Sequence, residues 1–166
     1  MKAIPAILLV LFMTPLLLLG KGETYKIMII GPAYAVEITD ANALKDFRFG
    51  PGPGNTANGS PNWKPNSWIV EDWVHPVPEP DRAFFRSKAS FHIKPLNGEA
   101  TRKYVVYYVY DSAAHQGYVY LPGRGEASYA ENVSLMYRGD KFEGHWFRAT
   151  PEWTAAAQAA IDRAGR

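Results

Sequence analysis

The segment Asp111-Ser112-Ala113-Ala114-His115 contains the three residue types of a serine-hydrolase triad. A catalytic triad requires a serine on a strained turn, with its histidine and carboxylate normally contributed by separate elements, and the chain has no GxSxG sequence to form that turn. The segment lies between two predicted strands, and we interpret it as a polar connection. We therefore assign no catalytic residue from the sequence.

The sequence also contains no motif for binding a metal or a cofactor. The four histidines, His75, His92, His115 and His145, lack the HExxH pattern and other close metal-ligand spacings. The absence of cysteine excludes disulfides, thiolate ligands and cysteine nucleophiles. The glycine- and proline-rich run at 50–54 matches neither a phosphate loop nor a dinucleotide fingerprint, and its prolines have no amide hydrogen to offer a phosphate. We predict no metal and no cofactor.

Aromatic residues make up 14% of the chain, and tyrosines are concentrated in two predicted strands. Tyr104, Tyr108 and Tyr110 alternate onto one face of the first strand, and Tyr118 and Tyr120 share a face of the next. If these strands pair, cross-strand neighbours at about 5 Å would form a tyrosine ladder. Such rings can pack beneath a helix, or they can form a stacking platform for a sugar or a peptide.

Two further stretches contain candidate binding residues. Arg124 follows a strand within a Pro-Gly-Arg-Gly turn, which can present a guanidinium group to a carboxylate or phosphate. Trp146 and Arg148 share a face if their strand is regular, so that Arg148 either stacks on Trp146 or faces a ligand with it. Together with Tyr108 and Tyr120, these are the predicted binding residues.

The N-terminus has the composition of a secretory signal peptide. Lys2 is followed by an uncharged, mostly apolar run over 3–20 and then by the small-x-small sequence Gly20-Lys21-Gly22. We predict a cleaved leader over 1–22 and export to the periplasm or the cell exterior. The alternative is an uncleaved helical anchor, although Pro15 interrupts the apolar run.

The charge balance depends on this leader. Lys2 and Lys21 are two of the eighteen basic residues, so the remaining chain has sixteen basic and sixteen acidic side chains. A nearly neutral domain lacks the basic surface that nucleic acid requires, and we exclude that partner. The partners that remain are a small ligand, a glycan or a protein, with membrane contact only through an uncleaved leader.

The order of predicted elements indicates an α+β fold. Runs of strands follow one another without helical crossovers, which predicts an antiparallel sheet of about six to eight strands. A short helix follows Thr39-Asp40, and a C-terminal helix begins after Thr150 and packs on the sheet. The alternative is a small β-sandwich or a partly closed barrel. We predict one domain over 23–166, with a long glycine- and proline-rich loop over 50–65. The predicted strands are Tyr25–Gly31, Ala33–Ile38, Trp68–Val74, Phe84–Ile93, Arg102–Tyr110, Gly117–Leu121, Val133–Tyr137 and Phe142–Phe147.

Three stretches together resemble a group of uncharacterised exported bacterial proteins. They are IIGPAYAVEITDANAL at 29–44, GYVYLPGRGE at 117–126 with Tyr129 and Asn132, and HWFRATPEW at 145–153. The resemblance spans most of the chain after the leader. It implies a bacterial source and export, and it implies no activity.

Two functions are compatible with these observations. The first is a non-catalytic domain that binds a ligand or protein partner at the cell envelope or outside the cell. The second is a hydrolase of envelope or extracellular substrates that uses Asp111, His115 or a carboxylate pair the sequence does not reveal. The missing catalytic spacing favours the first.

Overall fold

A computed structural model describes residues 22–47, 69–72, 75–81, 84, 86–95, 102–132 and 143–165. Within these ranges the chain forms six strands and three helices. The strands are β1 Gly22–Ile30, β2 Ala35–Ile38, β3 Ser87–Pro95, β4 Arg102–Asp111, β5 Gln116–Leu121 and β6 His145–Arg148. The helices are α1 Ala41–Asp46, α2 Tyr129–Asn132 and α3 Pro151–Ala164.

The strands form one open sheet in the order β2-β1-β3-β4-β5-β6, and every neighbouring pair is antiparallel. This confirms the α+β prediction, including the strand number and the C-terminal helix. The described sheet has two edges, β2 and β6, so it is neither a closed barrel nor a sandwich. In β3 the alternation that predicted the strand also sets its faces, because Phe91 and Ile93 are buried in the core.

Helix α3 covers one face of the sheet, which we call the helix-covered face. Thr150 caps the helix as predicted, with its Oγ1 accepting from the amide of Trp153 at 3.2 Å, and Pro151 occupies the first turn. Trp153 is fully buried, with its ring centroid 5.4 Å from that of Phe91 and 6.0 Å from that of Tyr108. Truncating a buried tryptophan of this kind lowers the free energy of unfolding by about 3–5 kcal/mol, so the packing of Trp153 is a main contribution to holding α3 on the sheet.

Helix α1 extends the same core. Asp40 Oδ1 accepts from the amides of Asn42 (3.1 Å) and Ala43 (2.9 Å), which confirms the predicted cap. Leu44 and Phe47 are buried, and the Phe47 ring lies edge-on to Trp153 with 5.2 Å between centroids. The short helix is therefore held by its packing against α3 as well as by its cap.

Helix α2 was not predicted, and it completes the ladder of β4. The residue after β5 is Pro122, which has no amide hydrogen, and the register that pairs Tyr107 with Tyr120 would place it opposite Val105. The side chain of Asn132 takes this position. Its Oδ1 accepts from Val105 N at 2.8 Å and its Nδ2 donates to Val105 O at 2.7 Å. Both backbone groups of a fully buried residue are thereby satisfied.

Some predicted elements differ from the structure or lie outside its described residues. Of the strand predicted over Trp68–Val74, the structure describes residues 69–72, which form an isolated bridge between Val70 and Ala149. The loop at 50–65, the leader before Gly22 and the strand Val133–Tyr137 lie outside the described residues.

Candidate functional site

An aromatic row crosses the face of the sheet opposite α3, which we call the groove face. The pairing of β5 with β6 places Tyr120 opposite Trp146, and their ring centroids lie 5.0 Å apart. The pairing of β4 with β5 adds Tyr107, whose ring centroid lies 6.3 Å from that of Tyr120. Cross-strand pairing alone thus aligns three rings from three strands.

An ion pair lies over the end of this row. The guanidinium carbon of Arg86 is 5.2 Å from the centroid of the Trp146 ring, and Arg86 Nη2 donates to Glu79 Oε1. The segment that contains Glu79 is held beside β6 because Val77 N donates to Trp146 O at 2.7 Å. At a half-exposed arginine such a cation–π contact is worth about 0.5–1 kcal/mol, enough to orient the side chain.

A second carboxylate, that of Glu126, is fixed beside Tyr120 in the middle of the row. Tyr120 Oη donates to Glu126 Oε1 at 2.8 Å, and the amide of Gly123 donates to Glu126 Oε2 at 2.8 Å. Burial, followed by the hydrogen bond to Glu126 and the negative charge of Glu126, raises the pKa of Tyr120 to about 12. The phenol is therefore protonated, and Glu126 is held as an acceptor.

These groups line an open groove of about 700 Å³. Its lining residues are Val77, Glu79, Arg86, Tyr120, Glu126, Gly144, His145 and Trp146. Most of them are polar, and they combine two carboxylates, a guanidinium group, a phenol and an imidazole. Since Trp146 is only 5% exposed, its ring forms the floor of the groove and supports Arg86, and it does not offer an open stacking surface.

The structure brings together two of the five predicted binding residues, Tyr120 and Trp146. Arg124 lies in the exposed turn after β5, and Arg148 is exposed at the end of β6, on the same face as Trp146; neither lines the groove. Tyr108 lies on the helix-covered face and is 1% exposed. Burial raises its pKa to about 12, and Gln158 Nε2 donates to its hydroxyl at 3.3 Å.

The predicted tyrosine ladder is wrong. The observed register pairs Tyr108 with Val119 and places Tyr120 opposite Tyr107. Because successive side chains alternate between faces, Tyr108 and Tyr120 therefore lie on opposite sides of the sheet. Among the rings of β4, that of Tyr107 lies on the same face as Tyr120.

Six of the eight groove residues were not predicted as binding residues, and three of these six are charged: Glu79, Arg86 and Glu126. The alternation of the predicted strand Phe84–Ile93 places Arg86 on its polar side, but nothing in the sequence indicates that β6 lies within reach of Arg86. For Glu126 a signal exists, since Gly123 precedes it by three positions in the turn Gly-Arg-Gly-Glu. A carboxylate at that spacing can accept from the backbone amide that begins a turn.

The segment from Asp111 to His115 is a tight turn between β4 and β5. Asp111 Oδ1 accepts from the amides of Ala113 (2.9 Å) and Ala114 (3.0 Å), while His115 Nδ1 shares a 3.3 Å hydrogen bond with the Tyr110 hydroxyl. Asp111 and His115 thus have different partners, and the structure does not join them as a triad. Among the described residues, no three acidic or histidine side chains are grouped as metal ligands would be.

The fold and the groove define a class: an α+β domain with one helix-covered face and, on the groove face, a polar groove that lies over an aromatic row. Comparison with family models, with curated proteins and with solved structures finds no match for this chain. No described helix is long and apolar enough to cross a membrane.

Proposed function

We propose that this protein is a non-catalytic binding domain whose groove takes a hydroxyl-rich ligand, such as a segment of a glycan. The observation that carries the proposal is the pair of fixed carboxylates, Glu79 and Glu126, that line one groove over the aromatic row, with Arg86 bound to Glu79 and stacked on Trp146.

Hydroxyl groups suit this lining because each can donate and accept at once. A sugar hydroxyl can donate to Glu79 or Glu126 and accept from Arg86 without either partner becoming a buried, unpaired charge. Two carboxylates and one guanidinium group leave the groove slightly negative when His145 is neutral. This charge disfavours polyanions and is compatible with neutral glycans.

The polar groups are also held in place before a ligand arrives. Arg86 is fixed by Trp146 and Glu79, and Glu126 by Tyr120 and the amide of Gly123. Side chains ordered in this way lose little conformational entropy on binding, which favours affinity for a flexible chain.

The alternative function is a hydrolase that uses a pair of carboxylates. In this structure the pair would be Glu79 and Glu126, the two carboxylates of the groove. A glycoside hydrolase needs one carboxylic acid that stays protonated to donate to the leaving group. Glu126 accepts from a hydroxyl and an amide, and Glu79 accepts from a guanidinium group, so each carboxylate serves as a hydrogen-bond acceptor in these contacts. These contacts favour binding over general acid catalysis.

A glycan array followed by calorimetry with the best oligosaccharide tests the proposal. Glu126→Gln and Arg86→Met remove the charge of a groove residue and are expected to weaken binding at least about tenfold, or about 1.4 kcal/mol. Arg148→Met is the matched control, because Arg148 is exposed on the same face outside the groove. Equal affinity of the groove variants and the wild type would refute the binding site. Release of reducing ends would support the hydrolase.

We also propose that the chain is exported by its leader and that its source is bacterial, as the resemblance implies. The first strand begins at Gly22, so cleavage after this residue would leave the pairing of Glu23 with Lys94 in place. N-terminal sequencing of the product from a secreting bacterial host is expected to begin at Glu23. A product that retains Lys2 would instead support the uncleaved anchor.

A further inference from the structure

A second pocket, of about 400 Å³, lies on the helix-covered side of the sheet. It is bordered by the β1–β2 turn, by β3 and β4, and by the C-terminal half of α3. Its apolar lining comes from Pro32, Ala33, Phe84 and Ile161. No residue of this pocket lines the groove on the groove face, so the two are separate sites on opposite faces.

Hydroxyl and amide groups converge at the inner end of this pocket. The Tyr34 hydroxyl and Ser87 Oγ form a 2.5 Å hydrogen bond, and Gln158 Nε2 donates to the Tyr108 hydroxyl at 3.3 Å. Two hydroxyls that bond to each other use only one of their two hydrogens, so the Tyr34–Ser87 pair retains a donor for a third group. This donor gives the pocket a fixed polar point within an apolar lining, the usual composition of small-molecule sites.

The backbone holds Tyr34 in this position. Gly31 N donates to Tyr34 O at 2.9 Å, which closes the turn after β1. A Cβ atom at Gly31 would approach the Tyr34 ring to 2.4 Å, so the ring lies directly on the glycine backbone. Only glycine leaves room for this packing, and the packing directs the Tyr34 hydroxyl toward Ser87.

The lining described for this pocket includes no ionisable group other than tyrosine. Burial raises the pKa of Tyr108 to about 12, so its hydroxyl is neutral in physiological conditions. A charged ligand would therefore lose its hydration without gaining a counter-charge, which is strongly unfavourable. A neutral ligand avoids this cost.

We infer that this pocket binds a neutral, largely apolar small molecule that has one hydroxyl or carbonyl group, with that group hydrogen-bonded to the Tyr34–Ser87 pair. The apolar body of the ligand lies against Pro32, Phe84 and Ile161. The pocket volume is in the lower part of the range for drug-sized ligands, about 300–1,000 Å³, which fits a fused two-ring compound.

Three probes of one shape test the inference: 2-naphthol, naphthalene and 2-naphthoate. Titration of the full-length protein, followed by amide chemical shifts, is expected to show saturable binding of 2-naphthol. Naphthalene lacks the hydroxyl and is expected to bind at least about fivefold more weakly, which corresponds to one hydrogen bond of about 1 kcal/mol. The anionic 2-naphthoate is expected to bind at least about tenfold more weakly because it finds no counter-charge.

Two tryptophan substitutions distinguish binding in the pocket from nonspecific binding to the protein surface. Ala33→Trp fills the pocket from the exposed turn and is expected to abolish binding of 2-naphthol, while Ala159→Trp adds the same ring at an exposed position of α3 and is expected to leave it unchanged. Ser87→Ala is expected to reduce the preference for 2-naphthol over naphthalene. Equal affinities for 2-naphthol and 2-naphthoate, shifts confined to groove residues, or unchanged binding by Ala33→Trp would each overturn the inference.

Discussion

Replacing Asn132 with aspartate changes one atom and tests the role of α2 directly. The amide Nδ2 donates to Val105 O, and Oδ1 accepts from Val105 N. An ionised aspartate can still accept from Val105 N. It loses the bond to Val105 O, because a carboxylate has no hydrogen to donate. It also places a negative charge against a carbonyl oxygen at a site where Asn132 is only 5% exposed.

The expected cost at neutral pH follows from these contacts. Leaving the buried carbonyl of Val105 unpaired costs about 1–3 kcal/mol, and desolvation of the carboxylate adds to this, so we expect a loss of about 2–3 kcal/mol. When the aspartate is protonated, its O–H can donate to Val105 O and restore the pair. The folded state therefore favours the protonated form and raises the pKa of the new carboxyl above its unfolded value of about 3.9.

A raised pKa in the folded state determines the direction of the pH dependence. Below the unfolded pKa both states are protonated, and the stability of Asn132→Asp is close to that of the wild type. As the pH rises through the folded pKa this stability is lost. A loss of about 2–3 kcal/mol corresponds to a shift of about two pKa units, so the destabilisation develops between about pH 4 and pH 6.

Urea denaturation of the purified wild type and variant, followed by tryptophan fluorescence at several pH values, measures this difference. Asn42→Asp is the control, because it makes the same atomic change at an exposed position in the first turn of α1, where we expect less than about 0.5 kcal/mol. The reasoning is refuted if Asn132→Asp costs the same at pH 4 and pH 7, or less than the control.

Two other predictions concern packing and ionisation. A Cβ atom at Gly117 would lie 2.4 Å from Thr154 Oγ1 and 2.8 Å from Tyr108 Cε2, so Gly117→Ala is expected to lower the free energy of unfolding by about 1–3 kcal/mol. Gly165→Ala meets only an atom 3.9 Å away and serves as the neutral comparison in the same urea assay; equal effects would contradict the clash. Because the pKa values of Tyr108 and Tyr120 are raised to about 12, the folded state favours the neutral phenols, and stability is expected to fall as the pH rises from about 10 through 12. Ultraviolet titration of tyrosinate should show at least two late-ionising groups, and a single transition near pH 10 for all tyrosines would contradict this.

Much of the fold is predictable because its signals are local. The alternation of Phe91 and Ile93 with polar neighbours identifies both β3 and its buried face. Thr150 and Pro151 mark the start of α3, since a side-chain acceptor and a residue without an amide hydrogen both suit the first turn of a helix.

The binding site is less predictable because it depends on register and strand order. A register shift of one residue between β4 and β5 would move Tyr120 from the side of the sheet that carries Tyr107 to the side that carries Tyr108. That register depends on a turn in which Asp111 accepts from two amides and His115 adopts a positive φ of 51°. The sequence contains these residues, but their turn type is not a standard hairpin signal.

Charged residues of the groove are still harder to predict. Arg86 directly precedes β3 and contacts Trp146 on β6, although β4 and β5 lie between those strands in the sheet. Such a contact depends on the order of all the strands and on the path of the segment around Val77. No pattern within a short window of sequence contains that information.

The position of α3 in the chain affects biosynthesis. A ribosome delivers this helix after the six strands that the structure describes, so Phe91 and Tyr108 lack their tryptophan neighbour until residue 153 has emerged. A nascent or prematurely terminated chain therefore presents a wide apolar surface to chaperones and proteases. Premature termination before the helix should yield fragments that are degraded rather than accumulated, so quality control would retain only products that include it.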